Sequence, residues 1–86
     1  MSHPPDPPGA EELRSVLADA GSVHHDYESV FLKGERDPQW PGFYAAFVLG
    51  RLGGFTSPST LTEWLQDAPA GEDWAKSASR YVVERL

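Results

Sequence analysis

The sequence predicts an all-α protein: a compact antiparallel bundle of three to four helices behind an extended, proline-rich N-terminal arm. Two observations carry that expectation. Apolar residues recur at intervals of three and four in four separate segments, the first three of which Gly or Pro brings to an end. No stretch alternates apolar and polar residues over strand length, and no internal repeat is present. Amphipathic helices with short connections bury their stripes against one another as a bundle. The expected organisation is an arm over residues 1–9 and a single helical domain over 10–86.

In the arm, Pro4, Pro5, Pro7 and Pro8 supply half of the chain's prolines. They remove amide donors and push the preceding residues out of α space, so an extended, solvated segment is expected. Residues 10–32 follow, where Leu13, Val16, Leu17, Ala20, His24, Tyr27 and Phe31 form one helical stripe that Val23 and Val30 widen. Glu11 and Glu12 suit the positive end of the helix dipole, and Lys33-Gly34 closes the segment. Gly21 suggests a break or kink near residues 20–22.

Two prolines then constrain Asp37-Pro38-Gln39-Trp40-Pro41-Gly42, and a second helix is expected over 41–52 with Pro41 in its first turn. Its apolar side is Trp40, Phe43, Tyr44, Phe47, Val48 and Leu52, and the small pair Ala46 and Gly50 suggests a close helix approach. A third helix begins at Ser57-Pro58, or at Thr60 with Glu63 completing a capping box, and turns Leu61, Trp64, Leu65 and Ala68 inward. Pro69-Ala70-Gly71 ends it. The fourth, over 72–86, buries Trp74, Ala75, Ala78, Tyr81 and Val82. Leu, Val and Phe number 18 and Ile is absent. The ten aromatic residues are therefore expected to supply much of the core, at roughly 150–250 Å² buried by each. Trp40, Phe43, Phe47, Trp64 and Trp74 are the expected core rings.

Charge and composition narrow the function. The formal net charge is −6, and residues 11–37 hold seven acids against three bases. Such a chain repels phosphate backbones, which argues against nucleic acid and anionic membrane surfaces as partners. A helix-turn-helix reading of the last two segments fails on the same ground. Without Cys there is no disulfide, thiol nucleophile or Cys-based zinc site. No apolar run approaches the ~20 residues of a membrane span, and no signal-peptide pattern opens the chain, so a cytoplasmic protein is expected. Five Arg to two Lys, with neither Ile nor Asn, points to a GC-rich bacterial genome.

His24-His25-Asp26-Tyr27-Glu28 is the first candidate site. His24 falls on the apolar stripe, where an imidazole needs a partner, and Glu28 lies four residues on, within reach on one helix face. Histidine with a carboxylate serves as a general base or as two metal ligands. A complete metal site would need Glu63, Asp67 or Asp73 brought in by the fold, and the competing reading is a hydrogen-bonded structural histidine. Trp40 and Tyr44 form the second feature, aromatic walls of a pocket beside His24 and Tyr27 or ordinary packing. Arg51 either meets a bound carboxylate or joins an internal ion pair. There is no phosphate loop or serine-nucleophile elbow, and neither a metal nor a cofactor is expected.

The two strings, His24-His25-Asp26-Tyr27-Glu28 and Trp40-Pro41-Gly42-Phe43-Tyr44-Ala45, resemble a pattern of a small uncharacterised family of bacterial helical proteins. There, H-H-x-Y-E precedes W-P-x-x-Y-A, with Trp common where this chain has Phe43. The resemblance covers about a quarter of the chain and implies that the two features belong together, without implying a reaction. The leading expectation is a non-enzymatic interaction or regulatory module that self-associates or binds a protein partner. A small-molecule or metal-binding protein, an enzyme included, is the alternative, with His24, His25, Tyr27, Glu28, Trp40, Tyr44 and Arg51 as its candidate residues.

Overall fold

In a computed structural model that describes residues 7–86, the chain forms four helices and no strand. They are α1 (Ala10–Val30), α2 (Trp40–Leu52), α3 (Pro58–Asp67) and α4 (Trp74–Arg85). The all-α bundle expected from the periodicity is the fold. The expectation of an extended arm over residues 1–6 lies outside the described residues; at the arm's end Pro7 is exposed and Pro8 is buried.

Helix α1 runs through Gly21 without a break. The glycine answers a packing need instead: a Cβ there would stand 3.3 Å from the Tyr44 hydroxyl of α2. The helix ends at Val30 rather than at residue 32, because Lys33 and Gly34 adopt positive φ (55° and 86°) and reverse the chain. The Gly34 amide then closes the turn by donating to the Glu28 carbonyl at 2.9 Å.

Pro41 stands in the first turn of α2, where its missing donor costs nothing, and Gly53 (φ 91°, ψ 170°) ends the helix in a region open essentially to glycine alone. Helix α3 starts at the first of the two expected caps: Ser57 Oγ accepts the Thr60 amide at 3.2 Å, with Pro58 following it. Asp73 caps α4 by accepting the Lys76 amide at 3.2 Å, a role its sequence neighbourhood did not announce.

α1 and α2 are antiparallel neighbours: Tyr27 and His24 meet Phe43, and Asp19, further back along α1, meets Arg51, further on along α2. α2 also packs on α3, and α1 on α4. Arg14 ties α1 to the start of α4 through Asp73 at 2.6 Å.

The core is aliphatic. Leu13, Leu17, Val48, Leu61, Leu65 and Val82 are all but inaccessible, with Ala20, Ala45 and Ala78 filling the gaps. The expectation that aromatics supply much of the core holds in part: Phe47, Trp64 and Trp74 pack against this cluster without forming its centre. None of the ten aromatic side chains is fully buried, and Trp40, Phe43, Phe47, Trp64 and Trp74 are all half-buried. Flexible aliphatic side chains fill the narrow space between short helices, and the wide rings are left around its edge. Two further expectations are corrected. Val23, Val30 and Phe31 are exposed, since the stripe of α1 leaves the bundle in its last turns. Ala46 and Gly50 face solvent, and Ala45 is the small residue at the helix contact.

Candidate functional site

The site is built where the last turns of α1, the connection over residues 31–39 and the first turns of α2 meet. His24 is 5% exposed, and its Nε2 lies 3.0 Å from Asp37 Oδ2. Its Nδ1 faces Glu28 Oε1 at 3.7 Å, the distance of an ion pair rather than of a hydrogen bond. Glu28 Oε2 in turn accepts the Asp37 amide at 2.7 Å, and Asp37 Oδ1 accepts the Gln39 amide at 2.9 Å. Each carboxylate thus holds part of the connection, and the imidazole joins both. Among the described residues no buried side-chain polar atom lacks a partner.

Asp37 is the member that sequence reasoning missed. Its position two residues before Gln39 and next to Pro38 is a local turn signal, but nothing in the sequence shows that it closes on His24, 13 residues earlier. The His24 hydrogen bond, followed by the Gln39 amide, holds the Asp37 carboxyl below its usual value of 3.8. A carboxyl whose pKa is lower folded than unfolded stabilises the fold above the unfolded value, and that contribution is lost as pH falls through the folded one. Below about pH 4, stability is therefore expected to fall with acidification. Asp37→Asn is expected to flatten that dependence while lowering stability at neutral pH, as read by urea unfolding across the acid range. Equal acid slopes in the two proteins would contradict the clamp.

The aromatic residues continue outward from the clamp. Phe31 meets Tyr27 (5.5 Å between ring centroids), Tyr27 meets Phe43 (5.5 Å) and Phe43 meets His24 (4.7 Å). His24 meets Tyr44 (5.4 Å), Tyr44 meets Trp40 (5.6 Å) and Trp40 meets Trp74 (5.5 Å). Seven rings form one unbroken seam across α1, α2 and the start of α4. Burial, and then the Glu28 charge, raises the Tyr44 phenol above its usual value of 10.0, so it remains a neutral wall.

Three open hollows share Trp40. One of about 370 Å³ is lined by Trp40, Tyr44, Trp74, Gln66, Ala68 and Ala70. A second, of about 220 Å³, is lined by His24, Glu28, Arg36, Asp37, Trp40 and Tyr44. The third, of about 420 Å³, lies against Arg36, Pro38 and Trp40.

Of the candidate residues, the structure brings together His24, Tyr27, Glu28, Trp40 and Tyr44. His25 is exposed and outside the cluster, since its neighbour in sequence takes the inward-facing position. Arg51 is also elsewhere, paired with Asp19 at 3.3 Å and lying over the Phe47 ring at 5.0 Å. Asp73 is engaged by Arg14, and Glu63 and Asp67 are exposed and line none of these hollows. Among the described residues, no group of three or more His, Asp or Glu side chains is arranged to hold a metal ion. Trp74, expected only in the core, is a wall of the hollow it shares with Trp40 and Tyr44.

Among the described residues, no helix is long and apolar enough to cross a membrane. Compared with known proteins, the chain matches no family model, no curated protein and no solved structure.

Proposed function

We propose that the protein is a non-enzymatic interaction module that binds a protein partner along the aromatic seam. The observation that carries this reading is the seam itself: seven contiguous rings, only His24 fully buried, ending at a Phe31 that is 72% exposed. Large rings left partly exposed along one line have the chemistry of a contact surface, where aromatic side chains are enriched among the residues that carry binding energy.

The polar groups beside the seam favour the same reading over a small-molecule or metal site. His24 has one ring nitrogen on Asp37 and the other toward Glu28, and the carboxylates hold backbone amides. They brace the connection that sets Trp40 at the head of α2, rather than standing free to accept a substrate proton or a metal.

Selection of short random peptides displayed against the whole protein tests the proposal. Enriched peptides are expected to bind the wild type and to lose about tenfold in affinity, near 1.4 kcal/mol, with Trp40→Ala. Phe31→Ser, at a position too exposed to matter to folding, is expected to weaken those that reach the end of the seam. No enrichment, or binding indifferent to both changes, would overturn the reading.

A further inference from the structure

We infer that the partner segment is extended and basic, and that it lays an Arg or Lys side chain in the hollow walled by Trp40, Tyr44 and Trp74. This rests on the seam being a partner surface and adds the chemistry of what binds there.

Shape is the first argument. Because three hollows of about 370, 220 and 420 Å³ share Trp40 as a wall, its ring stands as a ridge with space on several sides. An extended chain crossing that ridge places successive side chains in different hollows. A single compact ligand would fill one and leave the others open.

Ring chemistry is the second. Trp40, Tyr44 and Trp74 meet pairwise at 83°, 83° and 86° with centroids 5.4–5.6 Å apart. Packed edge to face at that spacing, they leave no room between them, so a guest in the hollow lies against their outer surfaces. The face of an aromatic ring is the negative end of its quadrupole and attracts a guanidinium or ammonium group. The remaining lining residues, Gln66, Ala68 and Ala70, bring no charge to oppose it.

Charge is the third. The exposed acid Asp67 stands between the lining residues Gln66 and Ala68, and the exposed Glu72 lies two residues from both Ala70 and Trp74. Glu28 and Asp37 line a second hollow that shares Trp40 and Tyr44, and the chain carries −6 overall. Of the nearby bases, Arg36 lines the other two hollows and not this one. Arg14 and Lys76 both lie by Asp73. A second copy would bring the same acidic rim against this one, like charge against like, whereas a basic segment meets complementary charge.

The test follows from the peptide selection. The enriched peptides are expected to be rich in Arg or Lys, and replacing the key base by Gln is expected to weaken them about tenfold or more. Ala70 is exposed in the hollow wall, so changing it leaves the core alone. Ala70→Lys is expected to weaken binding about tenfold and Ala70→Glu to tighten it, with both proteins keeping the wild-type circular dichroism. Enriched peptides without Arg or Lys, or Kd values that shift in the same direction for both Ala70 variants, overturn the inference and leave the partner surface standing. A concentration-dependent dimer in sedimentation that displaces the peptides identifies a second copy as the occupant and also overturns it. A selection that enriches nothing defeats the partner-surface reading itself.

Discussion

Leu61→Ala is expected to cost about 2–5 kcal/mol, as large-to-small changes in a close-packed core do. Leu61 is inaccessible to solvent and lies in the cluster that Leu13, Leu17, Val48, Leu65 and Val82 form between all four helices. Its loss leaves a cavity that short helices locked by their neighbours close only in part. A domain of this size holds about 4–13 kcal/mol in total, so the change removes a large share of its stability. Phe31→Ala is the matched control: the ring is larger but 72% exposed, and its removal is expected to cost no more than about 0.5–1.5 kcal/mol, the worth of its pairing with Tyr27. Thermal unfolding of the two variants checks the ordering. A larger loss for Phe31→Ala would place the core among the rings instead of the leucines.

His24→Ala is expected to have the second-largest effect, of a different kind. The change removes a ring packed at 4.7 Å on Phe43 and 5.4 Å on Tyr44, pairs worth about 0.5–1.5 kcal/mol each beyond their burial. It also strips Asp37 of its side-chain partner and leaves two carboxylates facing the space the ring had filled. The destabilisation is therefore expected to be felt most in residues 31–39, whose amides should exchange with solvent faster than those of α3 and α4. Hydrogen exchange resolved by residue reads this directly. Uniform loss of protection over the whole chain would show that His24 is a core residue like any other, with no clamp over the connection.

The helices were legible in the sequence because their signals are local. Spacing at three and four, Pro58 after Ser57 and the Gly53 stop are each complete within a few residues. Leu61, Leu65 and Val82 were readable as inward-facing for the same reason. The burial of the aromatics was not legible, since periodicity says which face a ring is on and not how deeply the neighbouring helix lets it in. Trp40 and Phe43 lie on the expected side of α2 yet stay partly exposed. The joining of the H-H-x-Y-E string to Trp40 and Tyr44 was anticipated from the two strings, but its agent, Asp37, was not. A carboxylate two residues before an amide looks like a turn, and only the reversal at Lys33-Gly34 carries it back to His24. Gly21 was misread as a break because the reason for it, the Tyr44 hydroxyl, comes from another helix.

On the proposed reading, the protein meets its partner at the seam around Trp40. The three tryptophan indole resonances test it most directly, because Trp40 and Trp74 lie in the seam whereas Trp64 stands on α3 outside it. Titration of the strongest selected peptide into the uniformly labelled protein is expected to move the Trp40 and Trp74 indole signals together and to saturate, with Trp64 unmoved. Saturable binding that shifts Trp64 and leaves Trp40 and Trp74 in place would contradict the account.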